Sequence, residues 1–314
     1  MRYFISHHQH KGIPIDTALK EAGWYSKHKK VDIALFDHCI NGSNPEVTRS
    51  IIKKYYDEGA MIVTYPHGVT GSWWMDSIDN YSSQYVFANL VISEGQKYVE
   101  EIRQPNLTHY IIGWSYCPLK PFLRKSDPLN ILFAPIHASD RDQSLREEAI
   151  EVNSRVYEAL LNLPQKYNIT IRHLNPLGAI GLKPKSRITF VYGKPDGSYK
   201  DIDNADIVIG EGTYMYLSVA RGKPTIGMNQ HIPIRPNRKN EKFKLKNWDK
   251  YGEYMAYPID FYDDSLPNLI KEACNKETSE WKRLFIGNRM DGRKLSILLE
   301  DLKNQYILEK GVIK

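Results

Sequence analysis

The sequence has few cysteines and no long apolar run, and each absence excludes a class of protein. Its three cysteines, Cys39, Cys117 and Cys274, are widely spaced and form no CxxC pair, which excludes a disulfide framework and a cysteine zinc site. No stretch reaches the roughly 18 consecutive apolar residues of a membrane-spanning helix. The first residues lack the apolar core and cleavage site of a signal peptide. We therefore expect a cytoplasmic protein without a transmembrane segment.

Four catalytic and nucleotide-binding motifs are also missing. The sequence has no Walker A motif, no GxGxxG after its first predicted strand, no HExxH and no GxSxG. These absences argue against a nucleotide triphosphatase, a nicotinamide dehydrogenase, a zinc protease and an α/β-hydrolase.

What is present is the pattern of a two-domain α/β protein. The 314 residues suit two domains of roughly 150 each. Short β-branched runs alternate with longer helical patterns, which is typical of βαβ units and a parallel sheet. A segment with three prolines, 117–128, interrupts the alternation and is interpreted as a linker. We predict two Rossmann-like domains, 1–120 and 129–290, facing a central cleft, followed by a helix in 291–314.

The predicted elements have recognisable ends. Asn44 is a suitable N-cap, Pro45 suits the first turn of a helix and Glu46 favours its dipole, while Gly59 is a credible end signal. Strands are predicted at 2–6, 31–36, 60–65, 84–93, 108–112, 130–135, 169–173, 187–192, 205–210, 224–228 and 253–259. Helices are predicted at 15–22, 45–57, 95–103, 144–163, 214–221, 266–275 and 292–309.

A histidine–glycine pair follows the predicted strand at 60–65. Ligands of open α/β sheets bind at the carboxyl ends of the strands. His67 is therefore a candidate general base, since its imidazole titrates near neutral pH, and Gly68 lets the backbone approach a ligand. The alternative is a buried loop histidine bonded to backbone.

A second candidate site follows the predicted strand at 205–210. Gly210, Glu211, Gly212 and Thr213 lead into a helix whose first N–H groups suit a phosphate. Glu211 would accept hydrogen bonds from ribose or sugar hydroxyls. Alternatively, Thr213 is only an N-cap and Glu211 only a turn residue.

Further polar side chains follow strands of the second half. Arg172 and His173 would supply positive charge to a donor phosphate, although an arginine at a strand end is equally often a surface ion-pair partner. His137 follows another strand of this half, and His231 and Arg235 lie beyond the strand at 224–228.

Three histidines follow the first strand. His7, His8 and His10 lack a carboxylate or cysteine companion, so we favour contacts to an acceptor or phosphate over a metal site, and no metal is predicted.

A basic segment spans 235–250. Seven lysines and arginines face two acidic residues there. Such a run is usually a solvated loop, and the alternative is a surface for a polyanionic acceptor, whether DNA, a teichoic-type cell-surface polymer or an anionic membrane surface.

The segment 205–226 resembles the donor-site segment of GT-B glycosyltransferases, which CDP-glycerol glycerophosphotransferases and non-hydrolysing UDP-N-acetylglucosamine 2-epimerases share. The likeness lies in Ala205-Asp206, the apolar strand after it, and a helix ending in Gly222-Lys223-Pro224. Residues 131–135 resemble the strand that opens the second domain of this group, and His67-Gly68 resembles a pair in the glycerophosphotransferases. Glu211-Gly212-Thr213-Tyr214 and Ile136-His137-Ala138-Ser139 depart from the glycerophosphotransferase pattern, which argues against CDP-glycerol.

The resemblance implies a metal-independent glycosyltransferase of the GT-B type. It would move a sugar from a UDP- or CDP-linked donor to an acceptor hydroxyl, use no further cofactor, and pack the helix of 291–314 back on its first domain. Alternatives are a glycerophosphotransferase, a sugar transferase for modified bases in DNA, a nucleotide-sugar epimerase and a binding module without activity. The expected catalytic residues are His67 and Glu211; the donor-binding residues are His137, Arg172, His173, Gly210, Gly212, Thr213 and His231; the acceptor-binding residues are His7, His8, His10, Gly68 and Arg235.

Overall fold

The protein divides into two compact units. In a computed structural model of the chain, unit 1 comprises Met1–Pro118 and Arg283–Lys314, and unit 2 comprises Leu119–Lys282. The structure describes residues 3–5, 19–20, 22–23, 30–37, 45–65, 90–93, 108–111, 120–122, 127–136, 143–173, 181–192, 198–211, 213–228, 266–276 and 292–312. The strand predicted at 253–259 and the helix predicted at 95–103 lie outside these residues.

Unit 1 is built on a parallel sheet whose described strands follow chain order. The strands are β1 (Tyr3–Ile5), β2 (Ile33–Asp37), β3 (Met61–Tyr65), β4 (Leu90–Ser93) and β5 (Thr108–Ile111), and they lie in the order β1-β2-β3-β4-β5. Helix α1 (Pro45–Asp57) begins at the predicted proline. It ends where Gly59, at φ 84°, donates its N–H to Tyr56 O at 3.0 Å. Only glycine adopts this left-handed conformation without strain.

Helices of unit 2 are α2 (Gln143–Asn162), α3 (Ser198–Asn204), α4 (Thr213–Ala220) and α5 (Leu266–Asn275). Helix α2 places Val156 and Leu160 in the core against Ile169 and Ile171 of the sheet. Each such buried side chain stabilises the unit by about 1.5–3 kcal/mol. Arg187 donates from Nη2 to Leu160 O at 2.6 Å and Leu163 O at 2.8 Å, and so satisfies carbonyls at the end of α2.

The helix at the end of the sequence completes the core of unit 1. Helix α6 (Gly292–Val312) buries Leu295 and Leu299 against Leu19, Ile33 and Met61. Lys303, which is 5% exposed, donates from Nζ to Gly59 O at 3.0 Å. The helix therefore covers a face of the first sheet that would otherwise meet water.

The sheet of unit 2 reverses its strand order. Strands β6 (Asn130–Ala134), β7 (Asn168–His173), β8 (Ile188–Tyr192), β9 (Ile207–Glu211) and β10 (Thr225–Met228) are all parallel and lie in the order β10-β9-β6-β7-β8. The chain builds outward from β6 through β7 to β8, and then restarts on the other side of β6 with β9. This is the order of a Rossmann sheet, and its reversal lies between β6 and β9.

The first residues of unit 2 differ from the predicted linker. Residues 120–122 are attached to unit 2, because Lys120 donates its N–H to Ala220 O at 2.8 Å at the end of α4. A Cβ on Gly222, which has φ 74°, would lie 1.8 Å from Pro121 O. The glycine is needed here for the close approach of two backbone segments, so the boundary falls at Pro118/Leu119, before most of the proline-rich segment.

Candidate functional site

The strand reversal brings Ala134 and Gly210 side by side. They are paired residues at the carboxyl ends of β6 and β9, where ligands of open parallel sheets bind. A Cβ on Gly210 would lie 3.0 Å from Tyr214 Cβ and 3.5 Å from Ala134 Cβ. Glycine therefore allows the first turn of α4, which begins at Thr213, to pack closely on both strand ends. The described backbone combines a strand reversal with a helix N-terminus at this point.

The chain leaving β6 is held by a buried asparagine. Ile136 lies two residues beyond the end of β6, and it donates its N–H to Asn153 Oδ1 at 2.8 Å. Asn153 Nδ2 donates in turn to Ile136 O at 2.9 Å. Both residues are fully buried. Helix α2 therefore fixes the backbone at the carboxyl edge of the central strand.

Arg172 lies near the same edge, in β7. Its side chain is 3% exposed, and Nη1 donates a charge-assisted hydrogen bond to the carboxylate of Asp201 in α3. Arg172 is therefore an ion-pair partner of Asp201, although its side chain is buried and not at the surface. Its contact with a donor phosphate stays a prediction.

His173 ends β7 within a group of aromatic rings. Its ring centroid lies 6.4 Å from that of Phe190, nearly edge-on at 74°, and 5.5 Å from that of Tyr192. Burial lowers the pKa of His173, because the charged imidazolium loses hydration. The imidazole is therefore neutral at pH 7. Tyr192 at the end of the edge strand is 68% exposed.

Other residues of the segment 205–226 lie at the opposite, amino edge of the sheet. Asp206 Oδ2 accepts hydrogen bonds from the N–H groups of Leu129 and Asn130, both at 3.0 Å. Lys223 Nζ donates to the carbonyls of Asp203 at 2.8 Å and Ala205 at 2.7 Å. These motif residues hold the start of the sheet together, whereas Gly210, Glu211 and Thr213 lie at the carboxyl edge.

An ion-pair cluster joins the ends of α3 and α4 at that amino edge. Arg221 donates from Nε to Asp203 Oδ1 at 2.8 Å and from Nη2 to the other carboxylate oxygen. Lys120 Nζ lies 3.2 Å from the same carboxylate. These contacts, led by the hydrogen bonds from Arg221, lower the pKa of Asp203.

Several predicted site residues fall outside the described part of the chain, and their roles stay predictions. The backbones of Glu211 and Thr213 are described, as the end of β9 and the start of α4, but their side chains are not. Outside the described residues lie His7, His8, His10, His67, Gly68, His137, Gly212, His231 and Arg235.

Neither a metal-binding cluster nor a membrane-spanning helix occurs among the described residues. Among them, no group of three His, Cys, Asp or Glu side chains could hold a metal ion. Within the same ranges, no helix is both long and apolar enough to cross a membrane.

Sequence reasoning missed Asn153, Asp201 and Tyr214 at this edge. Asn153 contacts a residue 17 positions away and Asp201 one 29 positions away. A polar residue at a buried position of an amphipathic helix was the available signal for Asn153. No comparable signal marked Asp201, because Ile202 is the only buried apolar residue among the described side chains of α3, residues 200–204.

Comparisons with known proteins identify the fold. No protein-family model matches the sequence, and no curated protein matches it. Among solved structures, the glycosyltransferase SnogD from Streptomyces nogalater is similar over 92% of this chain and 76% of its own, with 14% identity and a TM-score of 0.50. The spinosyn rhamnosyltransferase SpnG is similar over 91% of this chain and 79% of its own, with 11% identity and a TM-score of 0.50. The chain has the α/β fold of GT-B glycosyltransferases.

Proposed function

We propose that this chain is a glycosyltransferase that moves a sugar from a UDP- or CDP-linked donor to an acceptor hydroxyl. The observation that carries the proposal is the strand reversal between β6 and β9, with α4 beginning two residues after β9. Such a reversal opens a crevice at the carboxyl edge, and the N–H groups of a helix start attract phosphate. The fold shared with two glycosyltransferases supports sugar transfer as the reaction.

In this proposal the donor diphosphate lies at the start of α4. The backbone N–H groups of Gly212 and Thr213 bind it, and Gly210 lets the start of α4 pack close to the ends of β6 and β9. Glu211 accepts hydrogen bonds from ribose or sugar hydroxyls. His137 and His231 are proposed as further contacts to the donor.

Arg172 and His173 contribute to the same edge in different ways. The guanidinium of Arg172 contacts Asp201, which holds α3 and offsets its charge, so its proposed contact with the donor phosphate would be a hydrogen bond beside that carboxylate. His173 is neutral, because burial lowers its pKa, and it would therefore serve as a hydrogen-bonding group and not as a cation.

The proposed reaction is a displacement at the anomeric carbon of the donor sugar. His67 takes the proton of the acceptor hydroxyl. The acceptor oxygen forms a bond to that carbon, and the bond from the carbon to the diphosphate oxygen breaks. The nucleoside diphosphate leaves with its charge stabilised by the N–H groups of α4, without a metal ion in this route.

The acceptor would bind through residues of unit 1 and the basic segment. His7, His8, His10 and Gly68 are proposed to contact it, together with Arg235 at the start of the segment 235–250. The positive charge of that segment suits a polyanion, either DNA or a cell-surface polymer. Duplex DNA should then bind more tightly as salt is lowered, and an absence of binding at low salt would eliminate the DNA version.

The first test is thermal stabilisation by UDP and CDP. A ligand present at 100 times its Kd stabilises the native state by about 2.7 kcal/mol and raises the melting temperature. Gly210→Val should abolish this effect, because its side chain would push against Tyr214 and Ala134. Gly59→Ala, in unit 1 and with no atom within 4 Å of the added Cβ, should retain it. If neither nucleotide stabilises the wild-type protein, the proposal is wrong.

Two further experiments separate transfer from its alternatives. Incubation with the nucleotide sugar alone distinguishes an epimerase, which converts the donor without an acceptor. His67→Ala should abolish turnover and retain nucleotide binding. Unchanged turnover in this variant would remove His67 as the general base.

A further inference from the structure

The backbone of Ile136 needs hydrogen-bonding partners that the sheet does not supply. The last pair between β6 and β9 joins Ala134 to Gly210, and the next residue, Pro135, has no N–H. Ile136 follows at 0% exposure, so water does not satisfy its backbone groups. Asn153 supplies both partners, by accepting from the Ile136 N–H and donating to its carbonyl.

Burying the polar amide of Asn153 costs free energy of desolvation, so an apolar residue would suit a position that only fills space. It is 0% exposed, and its helical neighbours Ala149 and Val156 are buried apolar residues of the core. A buried amide gains little net stability from its hydrogen bonds over an apolar residue of the same shape. The amide fixes the orientation of the Ile136 backbone, because one planar group accepts from its N–H and donates to its carbonyl.

The fixed backbone lies at the site proposed above. Ile136 follows by two residues the Ala134–Gly210 pair at the strand reversal, so its Cα lies within about 7 Å of Ala134. His137, a proposed donor-binding residue, is bonded to it in sequence. The direction in which the chain leaves β6 thus decides where the next residues meet a ligand held at the start of α4.

We propose that Asn153 is a positioning residue of the nucleotide site: its amide holds the backbone of Ile136 so that the chain leaving β6 is fixed beside Gly210. This inference rests on the proposed function, since it requires a nucleotide to bind at the strand reversal. Asn153 is too deeply buried to touch the nucleotide, and it acts through Ile136.

The test uses two variants and a matched control in the same helix. Asn153→Leu keeps the approximate volume and removes both hydrogen bonds. Asn153→Asp keeps the acceptor at neutral pH but places a carboxylate oxygen against the Ile136 carbonyl. Val156→Ala, one turn away and fully buried, destabilises the same core and keeps the Asn153 amide that bonds to Ile136. Dissociation constants for UDP and CDP are measured by calorimetry at a temperature where each protein is folded.

The aspartate variant adds a readout that a loss of packing would not produce. A protonated carboxyl has the donor and acceptor pattern of the original amide, and burial raises its pKa. At about pH 8, Asn153→Asp should bind the nucleotide at least about tenfold more weakly than wild type, because a small displacement of the backbone beside the site lowers the affinity strongly. At about pH 5.5 this difference should shrink severalfold. Val156→Ala should bind like wild type at both pH values.

The outcomes separate the two proposals. If wild type binds UDP or CDP and the Asn153 variants bind as tightly as Val156→Ala, Asn153 has no positioning role and only this inference is overturned. If both Asn153 variants are unfolded at every pH tested, the residue serves folding alone and the inference is again wrong. If Asn153→Leu alone fails to fold, the pH comparison of Asn153→Asp decides. If wild type binds neither nucleotide, the proposed function fails, and this inference with it.

Discussion

Replacing Gly222 by alanine should destabilise unit 2 at the amino edge of its sheet. Gly222 has φ 74°, and a left-handed alanine costs about 1–2 kcal/mol. Its Cβ would lie 1.8 Å from Pro121 O and 2.7 Å from Pro121 C, which are backbone atoms and cannot rotate away. Residues 120–121 must therefore retreat, which breaks the 2.8 Å hydrogen bond from Lys120 N to Ala220 O, worth about 0.5–1.5 kcal/mol.

The expected loss for Gly222→Ala is about 1.5–3.5 kcal/mol of unit 2 stability. Native-state hydrogen exchange of β9 and β10 measures it without assuming that the two units unfold together. Their protected amides should exchange roughly 10-fold to 300-fold faster, since each 1.4 kcal/mol corresponds to a factor of ten.

Two glycines provide controls for this experiment. Gly181 has the same φ of 74°, and its added Cβ would meet the side-chain atom Ile150 Cγ2 at 2.8 Å, which can move; Gly59 has φ 84° and open space. Both should lose about 1–2 kcal/mol in their own units when changed to alanine. An exchange rate for Gly222→Ala no faster than for Gly181→Ala would show that the contact with Pro121 does not constrain unit 2.

Three further predictions concern charged and titrating groups of unit 2. Arg172→Met and Asp201→Asn should each cost about 1.5–3 kcal/mol, and a double-mutant cycle by denaturant unfolding should show that the double variant loses less than the two single losses combined. Asp203→Asn should melt below wild type at pH 7, and the two melting temperatures should converge as the pH falls from about 4 through the pKa that Arg221 lowers, because the charged carboxylate then disappears. The pKa of His173 is lowered by burial, so the unfolded chain takes up the proton first and stability falls as the pH drops below about 6.5; His173→Phe should flatten the melting profile between about pH 7.5 and 5 relative to wild type.

Local signals in the sequence predicted most of the described elements. The proline and acidic residue at the start of α1, and Gly59 after its end, act within one turn of the helix and need no tertiary information. The long apolar stripe of α2 predicted residues 144–163, and the structure has Gln143–Asn162. The short helix α3, Ser198–Asn204, was not predicted, because its seven residues, SYKDIDN, are too few and too polar to show an apolar helical periodicity.

The candidate site was less predictable, because its contacts join distant parts of the sequence. The carboxyl ends of strands could be identified, but the neighbour of β6 could not, and the reversal depends on β9 pairing with it across more than seventy residues. The ion-pair partner of Arg172 lies on the unpredicted helix α3. The segment 205–226 did indicate the fold correctly, yet Asp206 and Lys223 within it bind backbone at the amino edge and so carry information about architecture more than about chemistry.

The packing of helix α6 sets an order of events during synthesis. Leu295 and Leu299, which complete the core around Leu19, Ile33 and Met61, are synthesised more than two hundred residues after Met61. Unit 2 is synthesised in full within this interval and can fold first, although domains commonly fold from the N-terminus onward. Between the synthesis of Met61 and that of Leu295, the apolar sheet face that helix α6 covers in the folded unit therefore has no partner from this helix.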